Sequence, residues 1–145
     1  MTDLATIKTT DRTIEMIHPA SGERVGVRVN IVSIDDERLM KVKREITDRR
    51  LYLEARGKSF KSEDIEQNKN NILFAAMTGW EWYNPTGKED DEGFDPDAQA
   101  VFNGTIPDFT KRNVVDVFKV IPWFSDQINE GIGETKSFFD NSKPN

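Results

Sequence analysis

Two alternating stretches joined by a turn constrain this chain more than any other feature. In Thr13-Ile14-Glu15-Met16-Ile17 apolar and polar side chains alternate, and they do so again in Val25-Gly26-Val27-Arg28-Val29-Asn30-Ile31. A period of two places Val25, Val27, Val29 and Ile31 on one face of a half-buried strand. His18-Pro19-Ala20-Ser21-Gly22-Glu23-Arg24 lies between them. Proline there fixes φ and glycine permits positive φ, so the segment reads as the turn of a β-hairpin. An isolated hairpin is marginal in water, so its apolar face must be covered by further strands or by helices.

The rest of the chain supplies helices. Ser33 or Asp35 offers a cap, and Asp35-Asp36-Glu37 places acids at the positive end of a helix dipole. Leu39, Val42, Ile46 and Leu53 recur near helical spacing, with Gly57 as the stop. Ser62 reads as a second cap. Ile65, Ile72, Leu73, Ala76, Met77 and Trp80 then share a face, which predicts a helix reaching Gly79-Trp80. Asp95-Pro96 reads as the start of a short helix ending near Asn103-Gly104. Thr110 to Val120 reads as another, with Val114, Val117, Phe118 and Ile121 inward. Pro122 opens a last helix, burying Phe124 and Ile128 and ending at Gly131 and Gly133.

The expected fold is therefore α+β: an N-terminal β-hairpin packed on a mainly α-helical domain of about four to five helices. A flexible leader is expected at 1–12, a single domain at 13–133 and a loosely ordered tail at 134–145, with Phe138-Phe139 as its possible anchor.

Catalytic and cofactor chemistry is poorly supplied. Cysteine is absent, and His18 is the one histidine, placed in the predicted turn. Cysteine-based zinc sites and thiolate nucleophiles are excluded, and any metal would have to rely mainly on carboxylates. The acidic loop carries Glu89, Asp90, Asp91, Glu92, Asp95 and Asp97. An EF-hand needs an acidic or amide first ligand five residues before its glycine, and Lys88 stands there relative to Gly93. No phosphate-binding loop is present, since Gly22-Glu23-Arg24-Val25-Gly26 lacks the lysine and hydroxyl residue. The expectation is a non-enzymatic protein without metal or cofactor. No stretch is apolar enough to cross a bilayer, and the first residues do not have the pattern of a signal peptide.

Charge is uneven. Residues 1–61 hold 13 Lys+Arg and 10 Asp+Glu, whereas 62–145 hold 7 and 16; the basic excess concentrates in 38–61, with 9 against 3. Opposed ends of this kind allow self-association by complementary potentials. The same segment, through Arg49, Arg50 and Tyr52, is the basis of an alternative reading as a small nucleic-acid-binding or regulatory protein. The acidic second half opposes that reading, because it repels phosphates.

The tryptophans sit in two places, Met77-Thr78-Gly79-Trp80-Glu81-Trp82-Tyr83 and Ile121-Pro122-Trp123-Phe124-Ser125-Asp126-Gln127-Ile128. Trp80 and Trp123 fall on apolar helical faces and are expected in the core. Trp82 and Tyr83 fall beyond the predicted helix, beside the acidic loop and Phe94, and are expected to contribute to a partner surface.

Taken in order, these pieces resemble the tail assembly chaperones of long-tailed bacteriophages. The resemblance runs from about residue 13 to 139. It rests on the Ile14–Ile31 hairpin with its His18-Pro19-Ala20-Ser21-Gly22 turn and on the charged helix through Lys43-Arg44 and Arg49-Arg50. It continues through Gly79-Trp80, the loop bearing Phe94, the Pro122–Ile128 stretch, Gly133 and Phe138. Thr135-Lys136-Ser137 departs from the more basic stretch expected there. The resemblance implies an assembly factor of the host cell cytoplasm that is absent from the mature virion. It implies binding to the tape measure protein, action on the tail tube protein, self-association into an oligomer and a longer form made by ribosomal frameshifting. Arg49, Arg50, Tyr52, Trp82, Tyr83 and Phe94 are the expected partner-binding residues.

Overall fold

The computed structural model describes residues 12–133. The expected tail, with Phe138-Phe139, lies outside the described residues, as does the leader apart from Arg12. That residue already begins a strand.

The hairpin forms as its alternation requires. β1 (Arg12–Ile17) pairs antiparallel with β2 (Arg24–Ile31), with Ile14 opposite Val29 and Glu15 opposite Arg28. Met16, Val27, Val29 and Ile31 are buried on one face. On the other face Glu15, Arg28 and Glu81 form a cross-strand charge row, at 3.0 Å and 3.6 Å. Exposed pairs of this kind contribute roughly 0.2–1 kcal/mol each, so the apolar face supplies most of the stability.

Two helices form an excursion from the end of β2. α1 (Glu37–Glu54) starts at Asp36, whose carboxylate accepts from the Arg38 N–H at 2.9 Å. α2 (Ser62–Ala76) starts one residue after Lys61, whose N–H donates to the Asp64 carboxylate at 3.1 Å. The caps are thus displaced slightly from the expected ones. α1 ends three residues before Gly57, which follows in a left-handed turn.

The second helix does not reach Trp80. It stops at Ala76, and Met77–Trp82 forms a third strand, β3, paired antiparallel with β2. The sheet order is β1-β2-β3. Leu73, Ala76, Met77 and Trp80 have the spacing of one helical face, but Trp80, Glu81 and Trp82 also alternate. Pairing decides between the two. The open edge of β2 accepts Trp80 opposite Val29 and Trp82 opposite Val27, which a helix could not satisfy. Helix becomes strand without a loop, and Val32 N–H clamps the junction by donating to Ala76 O at 2.7 Å.

The short helix expected after Asp95-Pro96 is a single 3-10 turn, Pro96–Ala98. Asn103-Gly104, expected to end it, is instead a tight turn with both residues at positive φ, between the bridged Phe102 and Thr105. α3 (Lys111–Val120) and α4 (Pro122–Gly133) follow expectation. The Thr110 hydroxyl caps α3 by accepting from Asn113 N–H at 3.2 Å, and Pro122 opens α4.

The helices close over the apolar face of the sheet. Leu73 and Ala76 from α2, Val114, Val117 and Phe118 from α3, and Phe124, Ile128 and Ile132 from α4 complete the core. α4 lies tight against β1. A Cβ on Gly131 would overlap the Ile14 side chain. The Gln127 amide donates to Ile17 O at 2.6 Å and accepts from Ile17 N–H at 3.0 Å. One side chain thus stands in for a neighbouring strand on the free edge of β1.

Candidate functional site

β3 is the reason the two tryptophans and Tyr83 part company. In a strand, neighbours face opposite sides, so Trp80 and Trp82 both turn toward the core and Glu81 turns out. Trp80 donates its indole N–H to Pro107 O at 3.1 Å and meets Trp82 and Phe109 edge-on, at 5.4 and 5.7 Å between ring centroids. Trp123 is half-buried on α4, 6.3 Å from the His18 ring. His18 serves its turn: its Nδ1 accepts from Ala20 and Ser21 N–H at 3.1 and 3.2 Å. Trp80 and Trp123 therefore act in packing, as expected, although Trp80 does so from a strand.

Trp82, Tyr83 and Phe94 line one cleft at β2–β3, together with Arg24 and Arg28. Gly26 lets the loop that carries the cleft pack closely on β2. The backbone there has φ +94°, and a Cβ would overlap Tyr83 O and approach Pro85 Cδ at 2.9 Å. Tyr83 donates its hydroxyl to Glu15 at 2.7 Å, and the Arg28 guanidinium lies 4.0 Å above the Tyr83 ring. Burial, and then the hydrogen bond to Glu15, raise the Tyr83 hydroxyl above the usual tyrosine range. The hydrogen bond to Glu15 also holds Arg28 more firmly charged. The indole N–H of Trp82 is buried with no hydrogen-bond partner among the described residues. Such a group costs about 1–3 kcal/mol. Its ring packs, partly buried, against the core, and Trp82 lines the cleft as well.

Arg49, Arg50 and Tyr52 lie elsewhere, on the outer half of α1. Arg56 stacks on the Tyr52 ring at 3.7 Å and Arg49 approaches it at 5.6 Å. α1 is not uniformly basic: six Lys or Arg are interleaved with four Asp or Glu. Arg44 pairs with Glu37 at 2.6 Å and Arg50 with Glu54 at 3.8 Å.

The feature that sequence reasoning missed is how little covers the helical hairpin formed by α1 and α2. Leu39 is the one buried residue of α1. Leu51, Tyr52 and Ile65 are 54%, 49% and 59% exposed. Between the helices runs an open apolar groove of ≈ 320 Å³, walled by Ile46, Phe60, Ile65, Ile72 and Leu73. That is the bottom of the ~300–1,000 Å³ range of small-molecule sites, and convergent polar groups are few. The groove suits the side chains of another protein better than a cofactor. The one available signal was compositional: an 18-residue helix with mostly charged side chains between its apolar ones cannot bury much on both sides.

Among the described residues no group of three or more His, Cys, Asp or Glu is placed to hold a metal ion, and no helix is long and apolar enough to cross a membrane. The chain matches no protein-family model, no curated protein and no solved structure.

Proposed function

We propose that this chain is a non-catalytic tail assembly chaperone of a long-tailed bacteriophage. It binds the tape measure protein, keeps it available while tail tube protein assembles around it, and leaves before the virion is complete. It acts in the host cell cytoplasm and self-associates, alone or with a frameshifted longer form. The observation that carries this reading is the exposed apolar surface of the α1–α2 hairpin, through Leu51, Tyr52 and Ile65. A long helical client that is insoluble until covered needs a partner presenting such surface on a scaffold of net charge −6. The cleft of Tyr83 and Phe94 supplies a second contact region.

The test is co-expression with the tape measure protein of the same phage. Co-purification of the two, and loss of soluble client when this chain is omitted, is the expected result. A client that is equally soluble alone and never co-purifies removes the proposal. The nucleic-acid alternative draws on Arg49 and Arg56 around Tyr52. Interleaved acids on the same helix oppose it. A salt-sensitive shift of DNA or RNA at low protein concentration would favour it instead.

A further inference from the structure

We infer that the groove between α1 and α2 takes an amphipathic helix whose apolar stripe is flanked by carboxylates. This rests on the chaperone reading above and names the chemistry of the client segment at that surface.

Three observations converge. The groove is apolar along its walls and floored by the buried Leu73, with Ile65 left 59% exposed at its lip. Two helices already form its sides, so a third laid between them completes a small bundle with ridges set into grooves. On α2 the lining runs from Ile65 to Leu73, which gives a seat of about 12 Å at 1.5 Å per residue. That accepts roughly two turns of a client helix.

The rim fixes the charge. The charged side chains lining the groove are Arg50 and Lys69, both cationic. Their present acceptors are loose and solvated: Glu54 stands 3.8 Å from Arg50, and Asp126 stands 3.8 Å from Lys69. Exchange of such contacts for a client carboxylate costs little, because exposed pairs contribute little. The Asn68 and Asn129 amides complete the lip. A lysine-flanked helix would meet like charge on both sides of the groove, so discrimination comes from repulsion as well as attraction.

The test uses the full chain and three synthetic peptides of about five turns. One carries leucines at i, i+3, i+4 and i+7 with glutamates beside them, one has lysines in place of the glutamates, and one is a scrambled form of the first. Fluorescence anisotropy is expected to show saturable binding of the glutamate peptide, at least about tenfold tighter than of either other peptide. Ile65→Glu, a change at an exposed position, is expected to weaken that binding about tenfold while leaving the thermal midpoint unchanged. The double variant Arg50→Glu with Lys69→Glu is expected to reverse the preference toward the lysine peptide. That gain cannot come from misfolding. Equal binding of the acidic and basic peptides, or binding indifferent to Ile65→Glu, overturns the inference. So does a dimer that Ile65→Glu dissociates, which would make a second copy the occupant. Binding seen only after removal of residues 134–145 would make the chain's own end the occupant and also overturns it. If the glutamate peptide binds as expected but no tape measure protein co-purifies, the chaperone reading falls and the groove chemistry stands.

Discussion

Replacing Gly26 by alanine is expected to destabilise the fold by about 2–4 kcal/mol, and the reason lies in its neighbours rather than in its dihedral alone. Gly22 and Gly26 both have positive φ, +72° and +94°. An alanine at either pays about 1–2 kcal/mol for that conformation, partly offset by a stiffer unfolded chain. At Gly22 the added Cβ meets nothing within 4 Å. At Gly26 it overlaps Tyr83 O and lies 3.0 Å from Ala100 Cβ. The Tyr83 backbone cannot move aside easily: its N–H donates to Gly26 O at 2.7 Å, and its O accepts from Ala100 N–H at 3.3 Å. Overpacking of this kind adds about 1–3 kcal/mol. The comparison of Gly26→Ala with Gly22→Ala isolates that second part. Urea unfolding followed by tryptophan fluorescence should show a lower midpoint for Gly26→Ala at unchanged slope. By heat, the gap between the variants should be about 3–9 °C, at about 3 °C per kcal/mol. If Gly26→Ala is no less stable than Gly22→Ala, the loop from Tyr83 to Ala100 does not pack on β2 as described, and the cleft it builds is wrong with it.

Two further outcomes follow from ionisable groups. Asp36→Ala removes the cap of α1 and should cost about 1 kcal/mol at neutral pH. The hydrogen bond from Arg38 holds the Asp36 carboxyl below its usual range, so its contribution is full above about pH 4 and is lost as pH falls through the lower folded value. Asp36→Asn, which keeps the acceptor but not the charge, should lose less stability than the parent over that acid window; parallel acid-unfolding curves would contradict this. Tyr83, held neutral by burial and by Glu15, should ionise above about 10, observed as phenolate absorbance in a Tyr52→Phe background. Its raised folded value means a stabilising contribution that is present below about pH 10 and disappears as pH rises through that folded value. Glu15→Gln should lower the midpoint only in part, since burial is the larger cause. A midpoint at the free-tyrosine value would show that Tyr83 is solvated.

How far the sequence could be read depended on whether each element was decided locally. The Val25–Ile31 alternation, the Thr110 cap and Pro122 each carry their own instruction, and β2, α3 and α4 appear where those residues put them. β3 does not, because residues 77–80 satisfy a helical period as well as a strand period. The open edge of β2, far away in sequence, makes the choice. Asn103-Gly104 was equally ambiguous between a helix end and a two-residue turn, and the Phe102–Thr105 bridge resolves it. For the surfaces, residue type was informative and direction was not. Tyr83, Phe94 and Trp82 share a cleft, but Trp82 also packs against the core, since it alternates with Glu81 along β3. Ile65, Ile72 and Leu73 do share a face, as their spacing implies. That this face stays uncovered at Ile65 depends on where α4 passes, which spacing cannot report.

The excursion of residues 32–76 begins and ends at cross-strand partners, since Ile31 lies opposite Met77. Its two feet are therefore fixed by the sheet whether or not α1 is formed. α1 closes a loop whose ends are already held together, and it buries one side chain, Leu39, in doing so. Its opening exposes little surface and breaks no strand pairing, so it should be a low-energy excursion available well below global unfolding. α1 should then behave as an arm that lets go and closes again while the sheet with α2, α3 and α4 holds its shape.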